Sequence, residues 1–142
     1  RGFCVDIRGH KSKAKVKLGL QAHTCYSYQG EVAVDQGFES SKLIENQFHL
    51  PAFDVCMEAA SVTASALLRL TKCGDGKLQR FKLDKEGKIH LMDDKSLCLT
   101  VAQGESRKGG GGSPVHLIRN LSMEPCSAAL KPFQRWGMRA TE

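Results

Sequence analysis

The 142-residue sequence predicts an all-β domain: three units of about four short strands each, closed into a pseudo-threefold barrel. Three observations carry that expectation. The six cysteines fall into three consecutive pairs, Cys4/Cys25, Cys56/Cys73 and Cys98/Cys126. A glutamine-x-aromatic unit recurs after each pair, as Gln36-Gly37-Phe38, Gln79-Arg80-Phe81 and Gln134-Arg135-Trp136. Between these marks lie short alternating stretches bounded by turn residues, with no sustained helical period. Self-similarity at a regular interval points to one supersecondary unit used repeatedly, and closing the units on one another removes exposed sheet edges. The repeats run over about 1–51, 52–93 and 94–142 of a single domain, a length that supports one substantial core.

In the first repeat, Phe3-Cys4-Val5-Asp6-Ile7 alternates and is rich in strand formers. Gly9-His10 reads as a turn. Val16, Leu18 and Leu20 alternate toward Cys25, and short strands are expected at Gln36–Phe38 and over Leu43–His49, where Pro51 stops the run. The second repeat opens with Val55–Ala59. Ala59–Leu70 is rich enough in Ala, Ser and Leu to entertain a helix, but Val62, Thr63 and the repeat itself argue for strand. Ala66–Leu70 leads to Cys73, Gly74-Asp75-Gly76 turns, and Leu78–Leu83 alternates with period two. Asp84–Gly87 is a hairpin turn into Lys88–Met92. The third repeat begins at Leu97–Val101 and carries a glycine run, Gly109–Gly112, expected to be a mobile loop. It resumes at Val115–Ile118 and ends with Phe133–Met138. At equivalent points of these strands, Phe38, Phe81 and Trp136 are predicted core residues.

No cysteine pair has the C-x-x-C spacing of a zinc or redox site, so neither metal nor cofactor is expected. Six cysteines allow 15 pairings, and the repeat favours the sequential one. Three such disulfides would place the chain in an oxidising compartment, extracellular or in the secretory lumen. Six buried free thiols remain the other reading of the spacing alone. Asn120-Leu121-Ser122 is a glycosylation sequon compatible with secretion. No apolar run approaches the length of a membrane span. The chain starts at Arg1, which reads as an excised domain or a processed chain. Its formal charge of +6 favours polyanions only where the charges cluster.

Catalysis finds little support. His10, His23, His49, His90 and His116 are scattered without a nucleophile or acid at a telling spacing. Gly109–Gly112 lacks the Gly-Lys-Ser/Thr ending of a phosphate loop, and Asp93-Asp94 reads as a solvated turn. Nucleic-acid binding needs exposed aromatics between basic residues, whereas the aromatics here look internal.

Cys-Val-Asp at Cys4–Asp6, a second cysteine after a short strand, and the threefold glutamine-x-aromatic pattern together resemble the ricin-type β-trefoil lectins. One cysteine pair per repeat is most similar to plant toxin B chains and to the lectin domains of polypeptide N-acetylgalactosaminyltransferases. The resemblance covers essentially the whole chain. It implies non-catalytic binding of galactose or N-acetylgalactosamine-type glycans, either by a free lectin or by an accessory domain of a larger glycan-active enzyme. It also implies where the sugar sits. A carboxylate two residues after the first cysteine accepts bonds from vicinal hydroxyls, a charged acceptor roughly doubling their strength. A flat side chain two residues before the second cysteine packs on the sugar's C–H face. In the first repeat these are Asp6 and His23, with Gln21, Asp35 and Gln36 as orienting groups. His23 offers less area than an indole, and Asp35 replaces the family's usual asparagine. The second repeat has Glu58 and Thr71 at these places, and the third has Thr100 with a blurred aromatic position, so neither is expected to work. One weak site calls for multivalency, through oligomers or a parent chain.

Lys11, Lys13, Lys15 and Lys17 alternate, which in a strand puts four lysines on one face. The alternative function is therefore a protein- or polyanion-binding trefoil that engages sulfated glycans or heparin through that face. A solvated edge protected by lysine is the structural reading of the same residues.

Overall fold

The computed structural model describes residues 3–7, 20–24, 42–43, 45–51, 53–102, 107–108 and 117–137; for 3–7, 21–24, 107–108 and 117–118 it describes the backbone alone. Every strand pairing among these residues is antiparallel. The first repeat supplies β1 (Phe3–Ile7), β2 (Leu20–Thr24) and β3 (His49–Leu50). The second supplies β4 (Val55–Ala59), β5 (Ala66–Thr71), β6 (Phe81–Leu83) and β7 (Ile89–Leu91). The third supplies β8 (Asp94–Val101), β9 (Arg107–Lys108), β10 (Leu117–Arg119) and β11 (Leu121–Pro125). They form a four-stranded sheet in the order β1-β2-β10-β9 and a seven-stranded sheet in the order β3-β4-β5-β11-β8-β7-β6. The chain is thus all-β.

Period-two burial places the core. In β5, Ala66, Leu68 and Leu70 are buried while Leu67 and Arg69 face out. They meet Met57 and Ala59 of β4, Leu99 of β8 and Leu121 and Met123 of β11 in one cluster with Leu20, Leu50 and Leu91. Phe81 is fully buried and packs edge-on against Phe48, ring centroids 5.9 Å apart at 79°, a favoured aromatic geometry. Trp136 is partly buried against the same cluster, its indole N–H donating to the Leu99 carbonyl at 3.0 Å. Two of the three predicted core aromatics therefore border the core, and Phe38 lies outside the described residues.

Three sequence expectations need correction. Lys42 and Leu43 are helical, not extended, and the chain turns at Glu45 and Asn46 before β3 begins at His49. Backbone N–H groups of Glu45 and Gln47 both return to the Lys42 carbonyl, and Asn46 takes φ 62°, a left-handed value that asparagine tolerates. Leu78 and Gln79 belong to a 3-10 turn over Lys77–Gln79, so the strand starts only at Phe81. Phe133 and Gln134 end a one-turn helix, Lys131–Gln134, opened by Pro132, which suits a first helical turn. Trp136 follows it in irregular backbone rather than a strand. The strand expectation for Ala66–Leu70 matches β5. The glycine run at Gly109–Gly112 lies outside the described residues.

Disulfides join Cys56 to Cys73 and Cys98 to Cys126, with Cα separations of 5.0 and 5.1 Å. The expected Cys4–Cys25 bond lies outside what is described.

Candidate functional site

The pairing register repeats. In β4–β5, Cys56 faces Thr71 and Glu58 faces Arg69. In β8–β11, Cys98 faces Glu124 and Thr100 faces Ser122. In β1–β2, Cys4 faces His23 and Asp6 faces Gln21. Each first cysteine thus stands across from the residue two before the second cysteine. The position two after it stands across from the residue four before. Because side chains alternate along a strand, this register sets one pair of facing positions per repeat beside each cysteine pair. It also assigns the position that an insertion obscures in the third repeat: Glu124, countable back from Cys126.

The glutamines of the glutamine-x-aromatic units repeat as well. Gln79, 4 % exposed, accepts from the Gly74 N–H at 2.9 Å and donates to the Lys72 carbonyl at 3.0 Å and the Glu58 carboxylate at 3.1 Å. Gln134, wholly buried, accepts from the Ser127 N–H at 3.0 Å and donates to the Pro125 carbonyl and the Thr100 hydroxyl, both at 3.0 Å. In each case the amide grips the backbone on both sides of the second cysteine and the side chain two after the first. A buried amide must have such partners. These two glutamines are internal clamps. The 3-10 turn and the one-turn helix, both departures from strand, aim them inward.

The facing pairs differ in what they leave free. Glu58 gives one oxygen to Gln79 and the other to Arg69 Nε at 2.6 Å, and its side chain is 15 % exposed. Arg69 belongs to no motif that marks it in the sequence; the facing register alone reveals it as the partner of Glu58. In the third repeat, the Thr100 hydroxyl donates to the Cys98 carbonyl at 2.8 Å and accepts from Gln134. Glu124 takes a bond from Ser122 at 2.6 Å and one from Ser65 at 3.3 Å. Neither place presents an uncommitted carboxylate opposite a flat face. Of the first-repeat candidates, Asp6, Gln21 and His23 have the backbone positions just given. Asp35, Gln36 and the lysines Lys11, Lys13, Lys15 and Lys17 lie outside the described residues.

His90 faces Cys98 across an irregular β7–β8 pairing. Its Nδ1 donates to the Lys95 carbonyl at 2.8 Å, and its Nε2 lies 2.7 Å from Asp84 Oδ2. Burial raises the Asp84 carboxyl, but hydrogen bonds from His90 and from the Lys88 and Glu86 backbone N–H groups bring it below the ordinary carboxylate value. Asp94 is likewise lowered by the Ser96 hydroxyl and N–H. His90, Cys98 and Cys126 lie within metal-binding reach of one another, yet the two sulfurs are bonded together. A disulfide offers no thiolate to a metal, so this trio is structural.

Residues 1–118 match the family model of the ricin-type beta-trefoil lectin domain. Among solved structures, the chain resembles the C-terminal domain of an earthworm lectin, a mutant crystallised in complex with 6'-sialyllactose. The two are 13 % identical, with a TM-score of 0.55, and the likeness covers 92 % of this chain and 85 % of that one. No curated protein matches the chain in sequence.

Proposed function

Since the chain belongs to the ricin-type β-trefoil lectin family, we propose that it binds galactose or N-acetylgalactosamine-type glycans without catalysis, through its first repeat. The observation that carries this is the shared register. Where the second repeat sets Arg69 against Glu58 and the third has Thr100 in place of an acid, the first sets neutral Gln21 against Asp6. An amide leaves the carboxylate its charge for sugar hydroxyls, whereas a guanidinium neutralises it and occupies its oxygens.

On this reading Asp6 anchors the sugar hydroxyls and Gln21 and Gln36 orient the sugar. His23 packs on the ring, and Asp35 accepts at the rim. The register also favours a third disulfide. The bonded cysteine in the other repeats lies two residues beyond the one that faces the first cysteine, and Cys25 lies two beyond His23. On this reading the molecule is a pseudo-threefold trefoil of about twelve strands. It folds in an oxidising compartment, extracellular or in the secretory lumen, and gains avidity as an oligomer or as the accessory domain of a larger chain. The 6'-sialyllactose on the earthworm domain is in keeping with a galactose-containing target.

A glycan array comparing wild type with Asp6→Asn tests the site. Galactose-terminated glycans should bind the wild type and lose at least tenfold in the variant. Undiminished binding by Asp6→Asn would remove Asp6 from the site. Binding that depends on Lys13 and Lys15 and collapses with salt would instead favour the lysine face, because exposed charges are screened within about 8 Å at physiological ionic strength.

A further inference from the structure

A second place in the molecule has the makings of a ligand site. The Asp84–Lys88 hairpin turn of the second repeat and the Ala128–Arg135 segment of the third border an open cleft of about 170 Å³. Lys88, Lys131 and Arg135 line it together with Ala128 and the buried Gln134, and Glu86 is the one carboxylate. The net lining charge is therefore positive by two. None of the three cations forms an ion pair within 4 Å among the described residues, although Glu86 shares the cleft.

The walls are joined through their backbones. Trp136 N–H donates to the Gly87 carbonyl at 2.7 Å. Gly87 takes φ +90°, and a Cβ there would lie 2.7 Å from the Trp136 carbonyl oxygen and 3.2 Å from Arg135 Cγ, so only glycine permits the approach. Asp84 accepts from the backbone N–H groups of Glu86 and Lys88, both at 2.9 Å. The Gln134 clamp fixes the other wall. The backbone carrying the cations is thus held before any ligand arrives, which lowers the ordering cost of binding.

We propose that this cleft binds a compact oxyanion carried by a glycan, a sulfate ester or a carboxylate. Its size argues for one charged group, since pockets that enclose a drug-sized ligand run to about 300–1,000 Å³. A guanidinium fork and two ammonium groups match three or two clustered oxygens. The choice of glycan rests on the carbohydrate reading above. The cleft is formed by the second and third repeats and shares no residue with the first-repeat site.

Amide NMR of the whole chain separates the two sites. Lactose should move the amides of Gln21 and His23 only. 6'-Sulfolactose and 6'-sialyllactose should also move Gly87, Lys88 and Arg135, and the stronger responder identifies the oxyanion. Lys131→Gln/Arg135→Gln should weaken the cleft response roughly three- to tenfold and leave the Gln21 and His23 response unchanged. Glu86→Gln, which removes the competing charge, should strengthen it, an effect that a folding defect would not produce. The proposal is overturned if the cleft stays silent to both anionic sugars or responds equally in the double variant. It is also overturned if inorganic sulfate binds as tightly as the sulfated sugar, which marks an adventitious ion only. A responsive cleft with no movement at Gln21 or His23 overturns the first-repeat reading and leaves this one standing.

Discussion

Gln134 has no exposed surface and three hydrogen bonds, a combination that makes it a fastening rather than a recognition group. Its amide serves a backbone donor and a backbone acceptor on either side of Cys126, and a hydroxyl from β8 besides. Replacement by leucine keeps the volume but orphans these partners, each costing of the order of 1–3 kcal/mol where solvent cannot reach. Gln134→Leu should therefore lose about 2–3 kcal/mol, read as a lower urea midpoint with unchanged slope. An unshifted midpoint would mean the clamp carries no stability. Gln79→Leu should cost at least as much, because it also leaves Glu58 with one partner fewer. In the sequence Gln79 and Gln134 only mark the repeat, whereas Gln36 is expected to orient a sugar. The partners of Gln79 and Gln134 come from around the cysteine loop, and the signal for that was present: each glutamine follows the second cysteine of its pair.

The β6–β7 hairpin is organised by one side chain. Asp84 caps its own turn through Glu86 and Lys88 and reaches His90 on the returning strand. Its carboxyl lies below the ordinary value in the folded chain. A group depressed on folding contributes stability in full above its unfolded value, about 3.9 for aspartate, and loses it as the pH falls through the folded value. Asp84→Asn should thus destabilise by about 1–2 kcal/mol at pH 7, and the gap from wild type should hold down to about pH 4 and narrow below it. Urea unfolding at pH 7, 5 and 3 measures this; a gap that stays constant over that range would refute it. The turn was legible from Asp84–Gly87. That its aspartate also holds His90 against a disulfide was not, because the irregular β7–β8 register decides which residue faces Cys98.

At the scale of the molecule, the two described disulfides close unequal loops. Cys56 and Cys73 are 17 residues apart, Cys98 and Cys126 28. Constraint of the unfolded chain grows slowly with loop length and comes to about 3 and about 3.5 kcal/mol respectively. Replacing each pair by serines should lower the thermal midpoint in that order, the 28-residue loop being the costlier to lose. The reverse order in calorimetry would show that native packing around Cys56, not loop entropy, dominates. Either loss exceeds what any exposed ion pair such as Lys42–Glu45 contributes, since exposed pairs are worth about 0–1 kcal/mol.

Residue order alone carried the all-β class, the cysteine pairs bonded at Cys56–Cys73 and Cys98–Cys126, and the family, because spacing and alternation are properties of a chain read in order. The resemblance also led to the expectation that Glu58 and Thr100 are poor sugar positions. Their hydrogen-bond partners came only with the tertiary structure. Glu58 and Arg69 are eleven positions apart in the chain, and only antiparallel register makes them neighbours. Lys88, Lys131 and Arg135 come from two repeats, and the contact of Gly87 with the Trp136 backbone brings their segments together. A strand's pattern tells which face is buried, but a charge finds its partner through pairing and packing across the sheet.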